Sequence, residues 1–366
     1  MDRKLRIAQL TLLGYFNYGQ TLQKFALQHT LKKFANFTEV LFCRESNKFH
    51  SEGIWAFRLP DYVPAENIPK RYINQEIVRT TKIKEFENRY IKTRFDIPYL
   101  DEIGDDYDYF VVGSDQVWTP LWIKPKYFLN FAPNEKKIAY AASIANPKIP
   151  KDKQDFFRES LMTFPKISVR EEGAIQLINE LTGREDIQLV LDPVMLLTQN
   201  EWLQIAMKPS WFNEKYERGY ILTYYLRKLP PPEIENLSRS LNLPVINIWD
   251  VRNYWHYITS PEEFIYLFAN ATLIYTNSFH GSAFSILFKK PFVNREYIKD
   301  GLGKKMSLRI EGLLKMFGLE NRIAQPENNF EVENLLTPDY KMRDKVLPEW
   351  REKSFKFLAE ALHYEN

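Results

Sequence analysis

What constrains this chain most is an alternation: short runs rich in β-branched and aromatic residues recur along most of its length, with helically spaced apolar residues between them. Such a rhythm favours parallel strands joined by crossover helices, because parallel neighbours cannot be linked by a tight hairpin. Residues 4–13 form the first run and end at Gly14. Leu22, Phe25, Ala26, Leu31 and Phe34 then fall at helical spacing over 19–34, and residues 38–43 make the next run. The opening therefore reads as a βαβ unit.

The pattern resumes at 109–112, 137–141, 166–169 and 187–191, where Asp192-Pro193 closes it. It restarts at 220–226, 244–248, 272–276 and 291–294. A length of 366 residues exceeds what one core usually fills, so we expect an N-terminal α/β domain over 1–200 and a C-terminal one over 201–366. Ser260-Pro261-Glu262-Glu263 combines an N-cap serine, a proline at the first helical position and a capping-box glutamate, which predicts a helix over 261–269. Phe355, Leu358, Ala359 and Leu362 predict a closing amphipathic helix, with Trp350 near its start, that packs back on the first domain.

Residues 47–98 break the rhythm, with Pro60, Pro64 and Pro69 followed by a charged helical stretch at 72–94, and are expected to be an insertion or lid. Lys82, Lys84, Arg89, Lys92 and Arg94 interleave there with Glu85 and Glu87, the pattern of a solvated face.

Charge narrows the partners. Fifty basic residues against 47 acidic ones leave a net +3, so no global field favours nucleic acid or an anionic membrane, and any anion site must be local. Cys43 is the one cysteine, which excludes an internal disulfide and a cysteine-rich zinc module. His29, His50, His256 and His363 show no ligand spacing with it, so no metal is expected. Asp105-Asp106-Tyr107-Asp108 reads as a solvated loop before a strand. Arg3, Lys4 and Arg6 precede an apolar run as in a signal peptide, yet Gln9 and Thr11 interrupt it and no cleavage site follows. No stretch approaches the roughly twenty apolar residues that cross a bilayer. A cytoplasmic protein without a transmembrane segment is expected, with peripheral membrane contact left open. The 15% aromatic share suits both a dense core and a sugar site.

In open α/β sheets, ligands sit beyond the carboxyl ends of the strands, so four post-strand loops are the first candidates. Asn17-Tyr18-Gly19-Gln20, after Gly14, offers glycine backbone at a helix N-terminus, and a structural turn explains it equally well. Gly113-Ser114-Asp115-Gln116 places small and polar groups after a strand, where a cap is the alternative. Arg170 leaves a strand and meets a helix start; its guanidinium can grip a carboxylate or phosphate, or simply pair with Glu171 or Glu172. Asn277-Ser278-Phe279-His280-Gly281-Ser282 precedes a helix expected over 281–288, and a histidine at such a corner can carry a proton near neutrality. Ser278 and His280 lack a hydrolase nucleophile elbow.

Together, Asn17-Tyr18-Gly19-Gln20-Thr21-Leu22-Gln23, Gly113-Ser114-Asp115-Gln116-Val117-Trp118, Tyr140-Ala141-Ala142-Ser143, Val169-Arg170-Glu171, Leu191-Asp192-Pro193 and Ser278-Phe279-His280-Gly281 resemble, in that order, the polysaccharide pyruvyl transferase family. Ser307, Arg309 and Arg322 resemble its closing segment. The resemblance implies two Rossmann-like α/β domains in a GT-B-like arrangement facing a central cleft. It also implies transfer of pyruvyl from phosphoenolpyruvate to sugar hydroxyls as a ketal, in the synthesis of exopolysaccharide or cell-surface glycan. The partners so implied are a small-molecule donor and a sugar or lipid-linked glycan acceptor, with no tightly bound cofactor. His280 matches the family's acid or charge stabiliser and Arg170 its donor-binding arginine. Asn17, Tyr18, Gly19, Gln20, Gly113, Ser114, Asp115, Gln116, Ser143, Asn277, Ser278, Gly281 and Ser282 are the further substrate-binding candidates.

Two positions depart from the family pattern. Ser278-Phe279-His280 stands where members often carry Arg-Leu-His, and Gln20 stands where many have an aspartate proposed as a base. Lys289, Lys290, Arg295, Lys304 and Arg309 are the cations available to restore the charge. The missing arginine keeps a GT-B glycosyltransferase using a nucleotide sugar in view, and a catalytically silent glycan-binding protein is the third reading.

Overall fold

A computed structural model describes residues 5–42, 63, 68–95, 97, 99–226, 228–295, 303–324 and 332–364. Cys43, His50 and most of 47–67 lie outside the described residues, as do the side chains of Lys304 and Ser307. The first unit runs β1 (Arg6–Leu10), α1 (Tyr18–Leu31), β2 (Phe37–Leu41), α2 (Lys70–Tyr90), β3 (Thr93–Arg94), β4 (Tyr109–Val112), β5 (Lys137–Ala142), α3 (Gln154–Met162), β6 (Lys166–Val169), α4 (Glu172–Thr182) and β7 (Gln188–Leu189). Two short helices, α5 (Gln199–Leu203) and α6 (Glu214–Glu217), lead into β8 (Ile221–Tyr224), α7 (Glu233–Leu241), β9 (Val245–Asn247), α8 (Tyr254–Tyr257), α9 (Pro261–Asn270), β10 (Leu273–Thr276), α10 (Phe279–Leu287), β11 (Phe292–Asn294), α11 (Gly303–Met316), α12 (Val332–Leu336) and α13 (Lys341–Ala361).

The first sheet has seven strands in the order β3-β2-β1-β4-β5-β6-β7, and every neighbouring pair is parallel. The second has four in the order β11-β10-β8-β9, again parallel throughout. Strand order reverses at β1/β4 in one and at β8/β10 in the other, and such reversals open a crevice at the carboxyl ends. Helices cover both faces, so β5 and β8 are buried along their whole length instead of alternating.

A continuous apolar seam joins the units. Trp202 meets Phe25 of α1 at 5.6 Å and Phe284 of α10 at 5.2 Å between ring centres, and Tyr18 stacks on Phe264 of α9 at 5.0 Å. The capping box at Ser260 and Glu263 forms and starts α9. The closing helix begins at Lys341, well before Trp350, and runs through Pro348, a residue type that normally ends a helix and so hid this start in the sequence. It lies against the first unit: Ser354 Oγ accepts from Leu191 N at 3.0 Å, and Phe355 and Phe357 pack near Phe34 and Tyr140.

Of the span expected as an insertion or lid, the described part supplies α2 and β3. Residues 93–94 are the edge strand of the first sheet, and α2 is wedged between the units. Of the charges expected on a solvated face, Lys84, Glu85 and Arg89 are exposed and Glu87 is buried, while Lys82 and Arg89 also meet Glu263 and Glu262 of α9 at 3.3 and 3.4 Å; Glu76 and Arg79 of the same helix are buried. Arg79 donates from Nε to Tyr18 Oη at 3.3 Å, from Nη1 to Glu76, and from Nη2 to Phe16 O, while Tyr257 Oη donates to Glu76. Asp106 accepts from Arg94 and Asp108 from the Arg6 backbone.

Candidate active site

The strand ends deliver the charged groups. Arg170 follows β6, Asp192 follows β7, and Ser114 and Asp115 follow β4, so all three loops leave the same edge of the first sheet. Arg170 Nη1 donates to Asp192 Oδ2 at 2.5 Å and to Ser114 Oγ at 3.3 Å, and Nη2 reaches Asp115 Oδ1 at 3.3 Å. Glu171 Oε2 lies 3.8 Å from Nε. Its Oε1 accepts from Ser143 Oγ, Ile144 N and Ala145 N at 2.7, 2.9 and 3.2 Å. The ring of Phe279 lies 4.5 Å below the guanidinium, an aromatic face of the kind that attracts such a cation.

His280 comes from the second unit. Ser278 caps α10 by accepting from Gly281 N, so the helix starts at Phe279 and His280 sits in its first turn instead of in the preceding loop. Nε2 lies 3.8 Å from Asp192 Oδ2, the oxygen that also holds Arg170. The imidazole rests directly on Gly19 of α1, where any Cβ would overlap the ring. Glycine there is a packing requirement: it lets two helix N-termini, one from each unit, meet at a single point. Helix N-termini favour negative charge.

Burial lowers the His280 pKa; Asp192 raises it and Arg170 opposes that, leaving it below the ordinary value. The imidazole is therefore neutral at pH 7. Since the unfolded chain takes up this proton near pH 6.5 and the folded one resists it, His280 costs stability as pH falls below that value. Burial alone would raise Asp192, but Arg170, then His280, outweigh it and hold the carboxylate below its usual range. Arg170 Nε, Glu171 Oε2 and His280 Nε2 are buried without a hydrogen-bond partner among the described residues. A cavity of about 160 Å³ is lined by Arg170, Glu171, Leu189, Gly312, Lys315 and Trp350, and His280 is not among its lining residues.

The polysaccharide pyruvyl transferase family model matches residues 17–298, a span from α1 through the His280 helix. The chain belongs to that family. It is a family of transferases, and the transferase described here shares the GT-B-type arrangement of known structures. A putative UDP-N-acetylglucosamine 2-epimerase from Listeria monocytogenes aligns at 10% identity over 98% of this chain and 91% of its own, with a TM-score of 0.50. UDP-GlcNAc 2-epimerase from Neisseria meningitidis aligns at 12% identity over 99% and 100%, with a TM-score of 0.43. Medicago truncatula UGT71G1 aligns at 9% over 98% of each chain, with a TM-score of 0.45. No curated protein sequence matches the chain.

The structure brings some candidates of this transferase together and sets others apart. Ser114, Asp115, Arg170 and His280 converge, with Gly19 beneath and Ser143 held through Glu171. The surrounding donors assign the Gln116 amide with its oxygen toward Arg309, and in that orientation it accepts from Nη1 and Nη2 at 3.0 and 2.8 Å. Gln20 is buried with its amide nitrogen unpartnered among the described residues. Asn17 instead caps α1, accepting from Gly19 N at 3.0 Å, and Tyr18 Oη points away to Thr259 O at 2.6 Å. Asn277 holds Leu226 N, Ser282 accepts from Asn294, and Gly281 packs on Thr276. Gly113, at φ 144°, lies against the Tyr140 carbonyl.

Arg170, expected to grip an external anion or to pair with Glu171, meets carboxylates of the chain itself. Its side chain is 1% exposed, and Asp192, Asp115 and Glu171 surround it, because a buried guanidinium without carboxylates is far too costly. Asp192 is the member of this cluster that was not among the site candidates. Asp-Pro after the last strand reads as a stop signal, and its place at the carboxyl end and its part in the Leu191-Asp192-Pro193 motif were the signals that pointed to more. Among the described residues no group of His, Cys, Asp and Glu is arranged to hold a metal, and no helix is long and apolar enough to cross a membrane.

Proposed function

We propose that this transferase moves pyruvyl from phosphoenolpyruvate onto two hydroxyls of a sugar, forming a ketal and releasing phosphate, in glycan synthesis on the cytoplasmic side. Family membership supports the reaction class. The observation that carries the residue assignment is the shared Asp192 oxygen, which couples the Arg170 guanidinium of one unit to the His280 imidazole of the other.

In this scheme the enol carbon gains a proton, one sugar hydroxyl attacks the resulting oxocarbenium-like centre, and phosphate leaves as the second hydroxyl closes the ketal. His280 is neutral when the site is free. An arriving anion raises its proton affinity, since nearby negative charge favours the imidazolium. Asp192 orients the ring and sustains that rise, and Arg170 keeps Asp192 ionised. Two facing helix N-termini favour the donor's negative charge.

Ser278 removes one donor-binding cation from the family pattern, and Arg309 is the best placed replacement. Lys289 pairs with Asp344 at 2.6 Å and Arg295 with Glu233, whereas Arg309 reaches Gln116 and acts electrostatically on His280. The test is phosphate release from phosphoenolpyruvate across a panel of sugar acceptors, with thermal melts alongside. Acceptor-dependent release that is lost in His280→Ala supports the proposal. Stabilisation by a nucleotide sugar alone transfers the chain to glycosyl transfer, and no response to either ligand leaves a silent binder.

A further inference from the structure

At the far end of α10, away from His280, cations gather in a second cavity. Arg343 and Arg351 of α13 and Lys289, just past α10, line a cavity of about 310 Å³ together with Thr198, Gln199 and Asn200. A nine-residue helix separates it from His280 by about 13 Å at 1.5 Å per residue. The two guanidiniums are fixed by carbonyls. Arg351 donates to Met195 O at 2.8 Å and Leu197 O at 2.6 Å, and Arg343 donates to Leu287 O at 2.8 Å.

A carbonyl holds a guanidinium in place without cancelling its charge. The carboxylate in contact is Asp344, which takes Lys289 at 2.6 Å and Arg343 at 2.8 Å, while Glu201 acts on Arg351 from further away. Three cations against one contacting carboxylate leave two positive charges on the cavity wall. Burial, and then the charge of Arg343, draws Arg351 below its ordinary pKa, so the two guanidiniums oppose each other. The Arg343 side chain is 9% exposed, and its Nε has no hydrogen-bond partner among the described residues. Like charges on one cavity wall cost free energy that a bound anion offsets.

We propose that this cavity is an anion site for a phosphoryl group, a phosphate ester or diphosphate held by Arg343, Arg351 and Lys289. The forked guanidinium donors match phosphate oxygens, and a dianion matches the surplus charge. Thr198 to Asn200 close the first unit, Lys289 belongs to the second, and α13 spans both, so the occupant ties the three segments together. No residue of this site is shared with the His280 cluster.

The probe is pyrophosphate, titrated calorimetrically into the full chain. Binding is expected in the wild type and in His280→Ala, and at least tenfold weaker in Arg351→Gln. Absence of binding, equal affinity in Arg351→Gln, or loss in His280→Ala overturns the proposal. Should Arg351→Gln fail to melt cooperatively, Lys289→Gln at the rim replaces it; a several-fold loss supports the site and unchanged affinity overturns it. Sedimentation with phosphatidylcholine vesicles, with and without phosphatidic acid, then assigns the source. Pelleting only with phosphatidic acid identifies a lipid headgroup, and pyrophosphate binding without pelleting identifies a soluble ester, either of which retains the phosphoryl chemistry.

Discussion

Two buried arginines, Arg79 and Arg170, face the same physical problem and solve it differently. Around Arg79 every guanidinium nitrogen finds an acceptor in Tyr18, Glu76 or the Phe16 carbonyl, and Trp249 lies 4.1 Å beneath it. Around Arg170 the nitrogens are divided among three carboxylates, yet Nε, Glu171 Oε2 and His280 Nε2 are left with hydrogen-bonding capacity. Closed polar networks rigidify a fold, whereas leftover buried capacity is costly and calls for an explanation. The first cluster is a bolt between the units; the second keeps unused hydrogen-bonding capacity at three buried atoms among the described residues.

The comparison breaks most readily at its structural end. Arg79→Met strands Glu76 as an uncompensated buried carboxylate, and we expect denaturant unfolding to show a loss of about 3–5 kcal/mol. A loss below about 1 kcal/mol would show that the cluster is no bolt. His280→Ala belongs to the opposite class: we expect turnover to fall at least about a hundredfold with donor KM changed far less, as for a group acting in the transition state. An unchanged rate removes His280 from the mechanism.

Asp192→Asn sharpens the electrostatic half. Asp192 raises the His280 pKa, so its neutralisation must lower that pKa further, moving the imidazole titration seen by NMR to more acid pH. A shift upward would contradict the assigned coupling. Tyr18→Phe gives the smallest effect, about 1 kcal/mol of stability for the bonds to Thr259 O and Arg79. Because the hydroxyl points away from His280, turnover should stay near that of the wild type, and a large drop would return Tyr18 to the site.

Much of the scaffold was legible because burial on both faces of parallel strands leaves dense apolar runs, and because Ser260-Pro261-Glu262-Glu263 carries its own start signal. The Arg170–His280 cluster was legible in its elements but not in its partnerships. Arg170 and His280 are 110 positions apart by number, and nothing along the chain says that one oxygen of Asp192 joins them. Helix α2 was opaque for a related reason: nothing along the chain singled out Glu76 and Arg79, whose three-residue spacing is that of any helical pair. Burial by a distant element is a tertiary fact.

On the proposed reaction, the meeting of Gly19 with the His280 ring makes chemical competence a property of assembly. Neither half carries both the seat and the imidazole, so severed halves would each be inert, and any loosening of the seam would be felt first as lost turnover instead of lost fold.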